Sequence, residues 1–369
     1  MKKITELDGI RGIAILLVLI WHCFATQVLA QYGTPLYYLQ YMSALTWSGV
    51  DLFFVLSGFL IGGILLDRRS SKNYFKTFFI RRICRIIPLY IMLILVFVFL
   101  NKTAPSGLRW LFIDPYPLWS YLTFTQNYFM SAGGTAWLGI TWSLAIEEQF
   151  YLTLPFIICY VRTKWLVPVC IIMIIGSAVA RYLIDGFGSY VYTFSRVDAL
   201  MSGVLLALLV RTDSFLPLMR KYIHLVITMF LLLLLVFAYM TFILTQPGDV
   251  VNHSVFALFY SLLILLAIIY QGNPLAGILR SSVLCWLGTR SYGIYLFHLG
   301  ISTTVQAYFG IYPPRISNID EAMLTFTALI ITMVLAELSF RYYESPFIRM
   351  GHKFSYGPQI INKKVFQAT

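Results

Sequence analysis

Charge in this chain is confined to short clusters separated by long apolar runs, and that pattern limits the fold more than any other feature. Ten apolar stretches can be marked, at about 10–30, 46–66, 86–101, 142–161, 165–184, 197–210, 223–244, 254–271, 284–305 and 322–341. About 20 helical residues cross the hydrocarbon core of a bilayer. Pro88, Pro155 and Pro168 fall inside these stretches, which membrane helices tolerate when neighbours satisfy the freed backbone groups. Only 11% of residues are charged, against roughly 25% in an ordinary globular chain. The expected fold class is an all-α polytopic membrane protein with about ten transmembrane helices. Disordered chains, disulfide-stapled secreted modules and basic nucleic-acid-binding domains are excluded.

Lysine and arginine set the expected orientation. With the N-terminus inside, cytoplasmic segments carry 22 of them and the opposite side 5. The chain is therefore expected to be N-in and C-in, and its net charge of +12 needs no nucleic acid partner. The start, MKKITELDGIRGIAILLVLIWHCF, is read as a retained first helix, since its apolar run is too long for a signal peptide. Residues 1–345 are expected to form the transmembrane domain and 346–369 a short basic cytoplasmic tail. With few residues after the last stretch, no appended soluble domain is expected. Five cysteines lie in or beside apolar runs, with no spacing suited to zinc; they are read as small fillers, and no metal is expected.

An ionisable group at the bilayer centre costs about 2.5–3.5 kcal/mol even on a mild scale, so each one needs a partner or a purpose. The candidates are His22, Asp51, Glu147, Glu148, Asp198, His298 and Glu337. Arg11 and His22 stand eleven helical steps apart, which returns to within about 20° of one face over a rise of about 16 Å. One stripe then carries a guanidinium at the cytoplasmic boundary and an imidazole deep in the membrane. Taken singly, Arg11 could be a topogenic charge and His22 an interhelical hydrogen-bonding residue. Together they suggest a long anionic molecule that enters from the cytoplasm.

Arg82 and Arg85 share a helix face at i and i+3 and could clamp a phosphate. In WSLAIEEQFYL the adjacent carboxylates point about 100° apart, so one of them, Glu147, is assigned to the interior. There it could hold an imidazole in one tautomer, as the acid of a hydrolase triad does, or form an ion pair with an arginine. Asp51 is an equally placed rival partner for His22. Arg196 and Asp198, in SRVDALMSG, could pair with each other or receive substrate hydroxyls. His298 is assigned a structural role. The segment WSYLTFTQNYFMSAGGTAW reads as interfacial or re-entrant, either an aromatic belt or part of a site for a polar, glycan-like molecule. No GxSxG, HExxH or P-loop occurs.

From LDGIRGIAILLVLIWH to FRYYESPF the chain resembles the acyltransferase-3 family of integral-membrane acyltransferases. Six segments in order carry the resemblance: Arg11…His22, GVDLFFVLSGFLI, the Arg82–Arg85 pair in RRICRIIPLY, TWSLAIEEQFYL, SRVDALMSG and SYGIYLFH. The resemblance implies O-acyl transfer from cytoplasmic acyl-CoA, usually acetyl-CoA, to a hydroxyl on a carbohydrate or lipid-linked glycan at the other side of the bacterial inner (plasma) membrane. Arg11, Arg82 and Arg85 would hold the CoA phosphates. His22 would be the catalytic base, with Glu147 or Asp51 orienting it. Arg196, Asp198 and Trp142 would contact the acceptor. Self-association is left open. Absence of a fused soluble domain would weaken any case for peptidoglycan as acceptor. The rival reading is a secondary transporter or exporter of a lipid-linked sugar, which also has buried ionisable residues and broken helices. It is disfavoured by the lack of two-half symmetry and by the arginines gathered at one mouth.

Overall fold

The computed structural model describes residues 4–114, 116–130, 135–184, 186–243 and 252–358. Among them, ten long helices stand where the apolar stretches lie: α1 (Thr5–Ile20), α2 (Gly49–Arg68), α3 (Tyr74–Thr103), α4 (Trp142–Tyr160), α5 (Thr163–Leu183), α6 (Thr193–Val210), α7 (Ile223–Ile243), α8 (Asn252–Ile269), α9 (Ser282–Tyr308) and α10 (Ile319–Leu338). Extended pairing in the described residues amounts to one isolated bridge, Val28 with Ile316. Among the described residues, eight helical segments are long and apolar enough to cross a membrane; α4 and α9 fall outside that set. The chain is an all-α, multi-pass membrane protein.

Two helix pairs form the frame, α2 with α6 and α1 with α9. Glycines explain the closeness of both, because apolar helices in lipid associate where small residues let backbones approach. A Cβ at Gly58 would lie 1.9 Å from the Leu200 carbonyl oxygen, and one at Gly203 2.0 Å from that of Val55. In the second pair, a Cβ at Gly12 would lie 2.1 Å from the Leu284 oxygen and one at Gly288 1.9 Å from that of Asp8. The outward faces keep large side chains such as Ile172, Leu235 and Phe326 exposed, as a lipid-facing surface requires.

Two helix ends differ from the simple apolar-stretch reading. α3 starts at Tyr74, twelve residues before the third stretch, because the arginine-bearing segment continues the same helix. α1 runs on through a five-residue π-helical turn, Trp21–Ala25, which holds His22; such turns widen the helix and recur at functional sites. The eleven-step count from Arg11 therefore holds only as far as Ile20. Beyond α10, the chain continues through Ser339–Glu344 into a short helix, Ser345–His352, packed on α3. Of the expected tail, residues 359–369 lie outside the described residues, as do 131–134 of the expected interfacial segment. Part of that segment folds back into the protein, since Gln126 and Asn127 are fully buried and bond to Thr141, Val191 and Thr193, while Trp119, Leu122, Tyr128 and Phe129 stay exposed.

Candidate active site

Arg11 of α1 and Arg82 and Arg85 of α3 line one cavity of about 260 Å³, together with Ser57, Glu147, Tyr151 and Tyr295. Arg82 lies over the Tyr151 ring, 5.7 Å from its centroid, and the Tyr151 hydroxyl is hydrogen-bonded to Ser57. Arg11 is 3.4 Å from Asp8. Among the described residues, Arg82 and Arg85 have no carboxylate ion-pair partner. Three guanidinia facing a partly enclosed, low-dielectric space make a strong positive potential, suited to a polyanion. Of the adjacent carboxylates, Glu147 lines this cavity; Glu148 does not, and its Oε1 is buried without a hydrogen bond.

Tyr295 lines the cavity on the side of α9. Its hydroxyl is 2.7 Å from the Ser143 hydroxyl and donates to the Ile140 carbonyl at 3.0 Å. Behind it stand two histidines. The Tyr295 ring centroid is 5.8 Å from that of His298, and His298 is 5.0 Å from His22. His22 Nδ1 is 3.1 Å from the Val18 oxygen and 3.3 Å from His298 Nε2. The expected open path from Arg11 to His22 is thus interrupted. The cavity reaches Tyr295, and His22 is not one of its lining residues. His298, assigned a structural role from the sequence, stands beside His22.

Neither expected carboxylate reaches His22. Asp51 is fully buried and accepts from Arg196 at 2.7 Å, with His253 Nδ1 3.4 Å from the same oxygen. Arg196 also contacts His253 Nε2 at 3.0 Å, and its guanidinium lies over the rings of Tyr190, Phe54 and Trp142. Asp198 accepts instead from Arg181 at 2.8 Å and from the Ser254 hydroxyl at 3.1 Å. The expected Arg196–Asp198 pairing is therefore replaced by two crossed pairs. A buried charge needs a nearby opposite charge, and helices α2 and α5 supply it to α6. Arg196, Asp198 and Trp142 are sealed in this network and do not line the arginine cavity. His253 and Arg181 were not anticipated there; a histidine and an arginine inside or at the edge of apolar runs were the only signal available.

The segment after Ser345–His352 crosses the start of α3. Asn73 donates to the Ser355 oxygen at 2.6 Å, and Arg81 Nε donates to the Phe354 oxygen at 2.9 Å. The Tyr356 ring is flanked by the guanidinia of Arg68 and Arg81, 5.6 Å and 5.3 Å from its centroid. Burial pushes the Tyr356 hydroxyl pKa up, and Arg81, Arg82 and Arg68 pull it down. Arg81 directly precedes the cavity residue Arg82 in α3, which sets this basic rim beside the cavity arginines.

Comparison with known proteins places this arrangement. The sequence profile described as an acyltransferase domain, that of the acyltransferase-3 family, matches residues 4–339. The chain belongs to the acyltransferase-3 family. It is similar to peptidoglycan O-acetyltransferase OatA of Listeria monocytogenes, 30% identical over 95% of this chain and 56% of that protein. A putative O-acetyltransferase of Staphylococcus aureus strain COL is 29% identical over 99% of this chain and 61% of its own length. O-acetyltransferase OatA of Staphylococcus aureus strain NCTC 8325 is 28% identical over 97% and 59%. The chain thus spans less than two thirds of the length of these curated relatives. No solved structure matches it.

Proposed function

We propose that this acyltransferase-3 protein moves an acyl group, most simply acetyl, from cytoplasmic acyl-CoA to a hydroxyl of a cell-envelope carbohydrate, in the bacterial plasma membrane. The observation that carries the reading is the convergence of Arg11, Arg82 and Arg85, from two helices, on one cavity that Tyr295 also lines, with the Tyr295 ring beside His298 and His298 beside His22. The lysine and arginine asymmetry supports a cytoplasmic arginine end, on the side where acyl-CoA is made.

A site that encloses a drug-sized molecule takes about 300–1,000 Å³, and this cavity holds about 260 Å³. It suits the pantetheine arm, with the nucleotide left outside. The diphosphate binds the three arginines, and the nucleotide end remains at the rim, where Tyr356 offers a ring for the purine and Arg68 and Arg81 offer charge for the remaining phosphate. Swinging Tyr295 aside admits the thioester to the histidines.

There His22 removes the proton from the acceptor hydroxyl, a step that contributes about 10²–10⁴-fold. The oxygen attacks the thioester carbonyl, the carbon–sulfur bond breaks, and the leaving sulfur takes the proton back from the imidazole. Ester and free CoA thiol result, with no net proton change. The Listeria relative, whose name specifies peptidoglycan, supports a cell-envelope glycan as the acceptor class, although the sequence reading weighed against peptidoglycan itself. Purified protein in vesicles, given labelled acetyl-CoA and envelope glycans, should move label to glycan, and His22→Ala should abolish it with the protein still folded. Uptake of unmodified solute without transfer would instead favour the transporter.

A further inference from the structure

The hydrogen bonds around the two histidines fix where their protons sit. His298 Nδ1 is 2.7 Å from the Tyr295 carbonyl oxygen and 3.2 Å from that of Ile294. A carbonyl oxygen only accepts, so Nδ1 carries hydrogen, and in the neutral ring Nε2 is then a bare acceptor. That acceptor faces His22 Nδ1 at 3.3 Å. The other neighbour of His22 Nδ1 is the Val18 carbonyl oxygen, at 3.1 Å, again an acceptor. With acceptors on both sides, His22 Nδ1 must hold the hydrogen, and its lone pair is left on Nε2. A doubly protonated His298 would turn Nε2 into a donor and leave the His22 Nδ1 lone pair facing the Val18 oxygen.

We propose that His298 is a positioning residue that holds His22 in its Nδ1–H tautomer, so that Nε2 is the nitrogen that takes the acceptor's proton. The inference rests on His22 being the base. It assigns to a buried imidazole the part that a carboxylate plays in a serine hydrolase triad; Asp51 is occupied by Arg196, and Glu147 faces the arginine cavity. The arrangement suits its surroundings. An uncharged partner fixes the tautomer in the resting site without burying an anion. When His22 gains a proton, its Nδ1–H still has an acceptor in His298, which passes polarisation on to the Tyr295 carbonyl. Tyr295, which lines the arginine cavity, thereby anchors His298 with its main chain.

The test compares wild type, His298→Ala, His298→Gln and His22→Ala as purified full-length protein with labelled acetyl-CoA. Losing a tautomer-fixing aspartate from a triad costs about 10⁴-fold; His22 keeps the Val18 contact, so His298→Ala should lower kcat by about 10²-fold. KM for acetyl-CoA should stay unchanged, and His298→Gln, whose Oε1 can accept in place of Nε2, should recover at least about tenfold of the loss. Nitrogen spectra of ¹⁵N-histidine-labelled wild type give a readout independent of turnover: His22 should show a pyrrole-type Nδ1 and a pyridine-type Nε2. The reverse tautomer, full activity in His298→Ala, or no recovery by glutamine in folded protein would overturn the proposal. Activity retained in His22→Ala would overturn the reading of the site itself.

Discussion

Gly288→Ala should pull apart the two helices that carry the paired histidines. The new Cβ would lie 1.9 Å from the Asp8 carbonyl oxygen, 2.9 Å from its carbon and 3.0 Å from the Gly12 nitrogen. All three are main-chain atoms of α1, and none can rotate away. Bringing the closest contact to an ordinary distance of about 3.4 Å requires α9 to retreat by about 1.5 Å at that point. His298 lies ten residues further along, about 15 Å up the same helix, so much of the shift is transmitted to it. The His22–His298 contact, at 3.3 Å, has little slack, and a third of that displacement breaks it. Overpacking of this kind destabilises by about 1–3 kcal/mol, and a misplacement of about 1 Å near the reacting atoms costs about 10²-fold in rate. Steady-state acetyl transfer and thermal unfolding of the purified variant measure both. Gly176→Ala is the control, because its Cβ would meet nothing within 4 Å; it should unfold no earlier than wild type and keep full activity. Equal activity in the two variants would refute the idea that α1–α9 spacing sets the geometry of the site.

Three further outcomes are expected. Arg82→Ala and Arg85→Ala should each raise KM for acetyl-CoA by about 10- to 100-fold, the worth of a charge-assisted hydrogen bond, with a smaller change in kcat; an unchanged KM would remove these arginines from donor binding. Tyr356→Ala should raise KM for acetyl-CoA by at least about 5-fold, from the loss of base stacking, and leave KM for acetyl-pantetheine, which lacks the nucleotide, unaltered. Asp51→Ala should lower stability by about 3–5 kcal/mol by stranding Arg196, seen as a fall in Tm. A variant that melts like wild type but loses kcat would return Asp51 to the role of His22 partner.

The arginine cavity was largely legible beforehand. Arg82 and Arg85 share a face because i and i+3 always do, and their approach to Arg11 followed from a shared end of the bundle. Glu147 was separable from Glu148 because adjacent residues cannot share a direction. The partner of His22 was not legible. Asp51, Glu147 and His298 were all ionisable groups at comparable positions in apolar stretches, and nothing local ranks them. The π-helical turn at Trp21–Ala25 also has no periodic signature, since the run is apolar on every side.

Hydrophobic run length and charge placement alone determined that this chain is a helical membrane protein, because a bilayer admits apolar segments with internally satisfied backbones. Tertiary structure decided which helices touch. It put Asp51 against Arg196, 145 residues away, and His22 against His298, 276 residues away. Helix periodicity specifies the face on which a side chain sits. The neighbour opposite that face depends on close glycine contacts such as those at Gly58 and Gly288 and on the need of each buried charge for a counterpart, and both arise only when the helices assemble.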